Sequence, residues 1–325
     1  MSLLESSVLQ QVLAAVGAFC LLRVIFRAAL HLARRSDYAR IDPRVLNLNV
    51  EETWANLGLW TRSCREDYPS ACAELARAVG KAAGLGRNHT VVVAGFGNGD
   101  ELQLFAREFT CAALVGINPC AAELAMARRR FHLDGNGISK SALRGRIGDT
   151  ILELHQGSAT ALRQCSLAPR SVDRVVCVDC AYHFRPRQKF LAEAALCLRQ
   201  EGVIAIADVC LSSLWWKSRS AAQALLFSCA WRLVAALTGI PRTNLWDEHE
   251  YSDRLHAAGF KDIKFTFVEE RVFDGFACFV ERQREDLAGV VRRGAFDHFL
   301  GAAWLCRWAA RSKAIRYVIL SARRR

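Results

Sequence analysis

The sequence predicts a doubly wound α/β fold, and three observations carry that reading. Residues 91–94 (VVVA) form a short apolar run that stops at Gly95-Phe96-Gly97-Asn98-Gly99. The segment after the glycines, 101–109 (ELQLFAREF), has helical spacing with Leu102, Phe105 and Phe109 on one face. The same alternation of a buried strand and a helix then recurs through residues 112–209, as a mostly parallel sheet covered on both faces requires.

The first strand and its glycine turn organise the rest. Glycines at every second position let the chain turn tightly and let a ligand lie against bare backbone. The spacing departs from the dinucleotide pattern, which would place a third glycine at the position of Asp100. That disfavours a nicotinamide or flavin dinucleotide.

Upstream, residues 69–84 read as a helix with Ala71, Leu75, Ala78 and Val79 inward. Trp54 and Trp60 flank Asn56-Leu57-Gly58, an ordered loop that packs on something. Downstream, the second strand is 112–117, ending in Asn118-Pro119 about 20 residues after the glycines, where a doubly wound sheet meets a ribose. A helix follows over 120–131. Strand three is 151–156, ending at Gly157-Ser158-Ala159, and strand four is 172–179, running into Cys180-Ala181-Tyr182-His183-Phe184. Helix 186–198 leads to strand five, 203–209. Residues 250–258 form a short helix and 261–268 a strand. The stretch 273–308 is mostly helical and rich in Phe, Trp and Leu, and 314–322 is the last strand.

Two apolar insertions, 211–240 and 273–311, read as helical caps over the carboxyl edge of the sheet, where such folds bind ligands. Trp215, Trp216, Phe227 and Trp231 in the first imply an apolar substrate, with ordinary core packing as the competing reading.

Residues 1–40 are expected to form a membrane anchor or interfacial helix, leaving 41–325 as the catalytic domain. Residues 12–22 (VLAAVGAFCLL) carry no charge, and Arg23, Arg27, Arg34, Arg35 and Arg40 follow. Those arginines place the bulk of the chain on the cytoplasmic side of an endoplasmic reticulum-like membrane. A mitochondrial presequence competes, because nothing acidic lies between Glu5 and Asp37. A plain amphipathic helix packed on the domain is the third reading.

With 52% hydrophobic and 23% charged residues, the 325-residue chain buries a substantial core and is not a disordered protein. Net charge +12 points to an acidic partner surface, nucleic acid or anionic lipid. The thirteen cysteines lie in apolar runs without regular spacing. Cys177 and Cys180 make the only CxxC, with no second pair at zinc spacing, so no metal is expected and the thiols read as reduced.

Several of these motifs, in order, resemble class I S-adenosylmethionine-dependent methyltransferases. The closer likeness is to the small-molecule branch of ubiquinone/menaquinone, tocopherol and sterol methyltransferases. VVVAGFGNGDE is similar to the family's first motif and LVGINPCAAELAMARRR to its second. SVDRVVCVDCAYHF and FLAEAALCLRQEGVIAIADV resemble its fourth and fifth strands with the helix between them. HEYSDRLHAAGFKDIKF resembles its penultimate helix and sixth strand, and Asn-Leu-Gly-Leu-Trp its lid entrance. The likeness covers residues 50–323 and implies a Rossmann-like sheet with helical lid insertions, with S-adenosylmethionine as cofactor.

The resemblance implies that the loop Gly95, Phe96, Gly97, Asn98 and Gly99 approaches the cofactor and that Asn118 with Pro119 holds the ribose. Ser158 and Ala159 would flank the adenine, and Asp179 and Cys180 the methionine end. His183 is the candidate base, since imidazole titrates near neutrality, and Tyr182 would orient the substrate. A structural histidine satisfied by backbone is the alternative for His183. Three positions where the family usually carries acids are Val93, Asn118 and Ser158 here.

The leading expectation is methyl transfer to a lipophilic small molecule, a prenylated ring, sterol-like compound or other secondary metabolite, at a membrane. Alternatives are a soluble acceptor, or a scaffold that keeps the fold without the chemistry. Nucleic acid is disfavoured as substrate, because no appended binding module or Asn/Asp-Pro-Pro-Tyr-type motif occurs. The oligomeric state is not legible.

Overall fold

A computed structural model describes residues 44–48, 51–61, 66–133, 142–165, 167–218 and 238–325. The expected anchor at 1–40 and most of the 211–240 insertion, residues 219–237, lie outside the described residues.

Helix α1 (Tyr68–Ala83) is started by the Asp67 side chain, which accepts from the Ser70 amide, and is closed by Gly84 in the left-handed region. Then come β1 (Thr90–Ala94), α2 (Asp100–Glu108), β2 (Ala113–Asn118) and α3 (Ala121–Arg130). They are followed by β3 (Leu143–Ile147), β4 (Thr150–Gln156), β5 (Val172–Val178), α4 (Arg187–Cys197) and β6 (Leu198–Leu211). The chain ends with α5 (Glu248–Ala257), β7 (Phe260–Phe267), α6 (Glu269–Asp286), α7 (Asp297–Ser312) and β8 (Ile315–Arg324).

The eight strands form one mixed sheet in the order β3-β4-β2-β1-β5-β6-β8-β7. β4, β2, β1, β5 and β6 are parallel, whereas β3, β8 and β7 each pair antiparallel with a neighbour. The order reverses at β1, so the carboxyl ends of β1, β2 and β5 open a crevice there. One face is covered by α1, α2, α6 and α7, whose Leu75, Phe105, Phe276 and Ala303 share a core with Val93 and Val176. The other face is covered by α4 and α5, through Phe190, Leu191, Tyr251 and Leu255 against Val92 and Val175. The second face needs no cap from the inserted helices α6 and α7. These lie on the first face, where the Trp60 ring stacks on Phe279 at 5.2 Å. Gly275 permits that approach, because a Cβ there would overlap the Trp60 side chain.

Two elements depart from expectation. β3 was not foreseen: its sequence, Leu-Arg-Gly-Arg-Ile, has two arginines and a glycine, a composition suited to an edge strand and weak as a strand signal. β6 begins at Leu198, where a helix end and turn were expected. The chain passes Glu201 in a left-handed conformation (φ 62°) and continues as strand, with an irregular register between Val172 and Arg174 of β5.

Candidate active site

The glycine loop is built by its neighbours. The Gly95 amide donates to Ile117 O (2.8 Å) and the Gly99 amide to Phe96 O (3.0 Å), fixing the turn between β1 and α2. All three glycines have positive φ, 80°, 53° and 98°. At Gly95 a Cβ would collide with Cys180 Sγ, and at Gly99 it would lie 2.8 Å from Phe131. At Gly97 nothing lies within 4 Å, so this residue turns a bare face to open space. The Phe96 ring is buried against Gly116 and so leaves only its backbone to a ligand.

Asn118, at the end of β2, is buried and committed. Its Nδ2 donates to Gly97 O (3.3 Å) and to Glu123 Oε2 (2.7 Å), and its Oδ1 accepts from the Cys120 amide (2.9 Å). It therefore braces the glycine loop and holds the Glu123 carboxylate beside it. Pro119 beside it is exposed. Ser158 is exposed at the end of β4, its Oγ within 2.8 Å of Thr160 Oγ1, and Ala159 is buried behind it. Val93 packs in the core between sheet and helices, so an acid there has no counterpart.

Asp179 stands at the end of β5 in a left-handed conformation (φ 57°) and is 8% exposed. Its carboxylate accepts from the Leu57 amide (2.6 Å), Tyr317 Oη (2.6 Å) and Tyr182 Oη (3.1 Å). Burial pushes its pKa up to about 7, although these three donors favour the charged form. Cys180 Sγ lies 3.1 Å from Cys177 Sγ and donates to Ala94 O. The bond to Cys177 and burial hold its thiol well above the ordinary range. Among the described residues no three His, Cys, Asp or Glu side chains are grouped as metal ligands.

His183 lies against Tyr182 with the rings tilted by 53° and their centroids 4.4 Å apart. Burial pushes its pKa down to about 4, with Arg185 adding to the effect and a backbone hydrogen bond to Gly239 opposing it. At neutral pH the ring is uncharged and a weak base, which fits a hydrogen-bonding role better than the general-base role expected for it. The turn that carries Tyr182 and His183 is clamped by Asn244, whose Nδ2 donates to Tyr182 O (2.9 Å) and Phe184 O (2.6 Å). Asn244 is held in turn by Arg187, fully buried, ion-paired with Asp208 at 2.5 Å and lying against the Trp246 and Tyr251 rings.

Residues 51–61 form a strap across the crevice. The Thr53 amide and hydroxyl both donate to Asp100 (3.2 and 3.1 Å), and Asn98 Nδ2 donates to Thr53 O (3.0 Å). Asp100 also pairs with Arg130 at 2.5 Å. At its other end the strap reaches Asp179 through Leu57. Asn98 therefore holds the strap with its side chain. Glu101, next to Asp100, is 6% exposed, and its Oε1 has no hydrogen-bond partner among the described residues.

The sequence reading missed Thr53, Leu57, Glu101, Glu123, Arg187, Asn244 and Tyr317. The two tryptophans around Asn-Leu-Gly did signal the strap.

A methyltransferase domain family model matches residues 92–206. Erythromycin 3''-O-methyltransferase of Saccharopolyspora erythraea is 27% identical over 237 residues, 73% of this chain and 71% of that protein. The [4+2]-cyclase SpnF aligns with a TM-score of 0.63 at 17% identity, covering 91% of this chain and 96% of that one. Geranyl diphosphate C-methyltransferase from Streptomyces coelicolor A3(2), solved with S-adenosyl-L-homocysteine, aligns at 0.57 and 13% identity, covering 89% and 99%. At these identities the solved structures establish the shared fold.

Proposed function

The chain is a class I S-adenosylmethionine-dependent methyltransferase of the small-molecule type, and from that premise we propose that it methylates a lipophilic small molecule at a membrane surface. The residues fit the cofactor: Gly97 offers bare backbone, and the buried Glu101 carboxyl beside it has an unpartnered oxygen for a cationic ligand. The bound cofactor supplies an electrophilic sulfonium methyl. The chain's own task is to align the acceptor and remove a proton. The loop from Gly95 to Gly99, Asn118, Ser158 and Ala159 would hold the nucleoside, with Asp179 and Cys180 toward the methionine end.

The observation that carries the lipophilic acceptor is an apolar rim beyond the end of β6, on the edge that holds Asp179. The short helix Ser213–Lys217 sets Leu214, 72% exposed, beside Trp215 and Trp216. The two tryptophans pack with Leu245, Trp308 and Ile315 around Ala314. A relative named for O-methylation of erythromycin supports a hydroxyl acceptor. Tyr182, bonded to Asp179, would then accept the hydroxyl proton while passing its own to a carboxylate poised near neutrality. His183 would orient the acceptor.

The membrane surface is supported by the apolar run 12–22 and the arginines after it, with the catalytic domain facing the cytosol. Among the described residues no helix is long and apolar enough to cross a membrane. The test is incubation of the full chain with methyl-labelled cofactor and either lipid or aqueous cell extract. Label entering the organic phase is expected. Label confined to water-soluble products overturns the lipophilic acceptor.

A further inference from the structure

We infer that Glu101 receives the positively charged α-amino group of the cofactor's methionine end, a role that no motif position carries. The inference rests on the methyltransferase reading. Glu101 is the second residue of α2, directly after the glycine loop. The thiols of Cys177 in β5 and Cys180 just after it are near enough to feel its charge. Cys180 in turn touches the backbone of Ala94 at the end of β1.

Glu101 differs from its acidic neighbours in that its Oε1 has no hydrogen-bond partner among the described residues. Asp100 is paired with Arg130 and bonded to Thr53, and Glu123 accepts from Asn118. Glu101 is 6% exposed, and one of its oxygens has no donor among the described residues. The charges acting on it are those of Asp100 and Glu123, both of the same sign. Burial first, then these two carboxylates, hold its pKa well above the ordinary value, although the first-turn amides of a helix favour the anion.

A buried acid with no cation costs stability unless a ligand supplies one. A Leu or Gln would fill the same volume more cheaply if packing were the only need. An ammonium group would satisfy the free oxygen and favour the charged form of the carboxyl. The acid absent from Val93 in β1 is thus present one element further on, at the start of α2.

The test is calorimetry of the full chain with two probes that separate the ends of the cofactor. S-adenosylhomocysteine carries the ammonium and no sulfonium charge, whereas methylthioadenosine lacks the amino-acid end. In Glu101→Gln, affinity for the first should fall about 10- to 100-fold, the loss of one charge-assisted hydrogen bond, while methylthioadenosine binds as before. Equal weakening of both probes, or no change in either, overturns the inference. If the wild-type chain binds neither probe, the methyltransferase reading itself has failed.

Discussion

The Leu57 amide donates to the Asp179 carboxylate at 2.6 Å, joining the strap over the crevice to the end of β5. Tyr317 and Tyr182 donate to the same carboxylate, so β8 and the turn after β5 meet there as well. One buried acid therefore ties the strap, β8 and the turn after β5 together.

That acid makes stability depend on pH in a defined direction. Asp179 has a pKa of about 7 in the folded chain against an ordinary 3.8. Between those values the native state holds a proton that the unfolded chain has released. The contribution is fully present below the lower value and is lost as pH rises through about 7. The melting temperature should fall from pH 6 to pH 8. In Asp179→Asn the curve should flatten, with a Tm at pH 8 about 2–4 °C above that of the wild type, which corresponds to about 1 kcal/mol. A wild-type slope that survives in the variant assigns the titration elsewhere.

Restoring the family's acid at Asn118 should do harm. Its Nδ2 lies 2.7 Å from Glu123 Oε2, so Asn118→Asp opposes two carboxylates and removes the donor to Gly97 O. Affinity for S-adenosylhomocysteine should drop about tenfold, one pKa unit of lost interaction. Adding Glu123→Gln should recover most of it. Tighter binding by the single variant would show that Asn118 does not brace the loop as described.

His183, held near pKa 4, should not govern activity near neutrality. Replacement by Gln should lower kcat less than about tenfold, below the range for loss of a general base. The pH–rate profile between 6 and 8 should keep its shape. An ionisation near 6.5 that disappears in His183→Gln would return the histidine to the role of base.

The buried pair Arg187–Asp208 is expected to carry the turn's rigidity. Arg187→Met leaves Asp208 buried without its cation and should cost about 3–5 kcal/mol in denaturant unfolding. Neutralising both residues together should cost less than the single change. If the single variant is as stable as the wild type, Arg187 does not hold Asn244 and the turn in place.

What was legible in the sequence was local. β1, β2 and β5 are short apolar runs ended by special residues, and the glycine loop announced itself by composition. β3 was hidden because its alternating arginines and central glycine lack the apolar repeat of a buried strand. The start of β6 was hidden by Glu201-Gly202, which reads as a turn: pairing with β5 begins at Leu198, skips these residues and resumes at Val203. Most missed site residues come from distant elements that only folding brings together, as with Leu57, Tyr317 and Asn244. Glu101 was concealed differently. Two acids at the start of an amphipathic helix read as ordinary complements to the helix dipole. Both are buried, and only the unpartnered oxygen of the second sets it apart.

The most direct measurement is a titration of S-adenosylhomocysteine into the full chain and into Gly97→Arg. Space at Gly97 is open and its φ is 53°, so the substitution strains the backbone by about 1 kcal/mol and fills the ground over the loop without disturbing the core. Saturable binding by the wild type that vanishes in a folded Gly97→Arg variant is the predicted result. Failure of the folded wild-type chain to bind at millimolar ligand, or undiminished binding by the variant, would contradict a cofactor site on this loop.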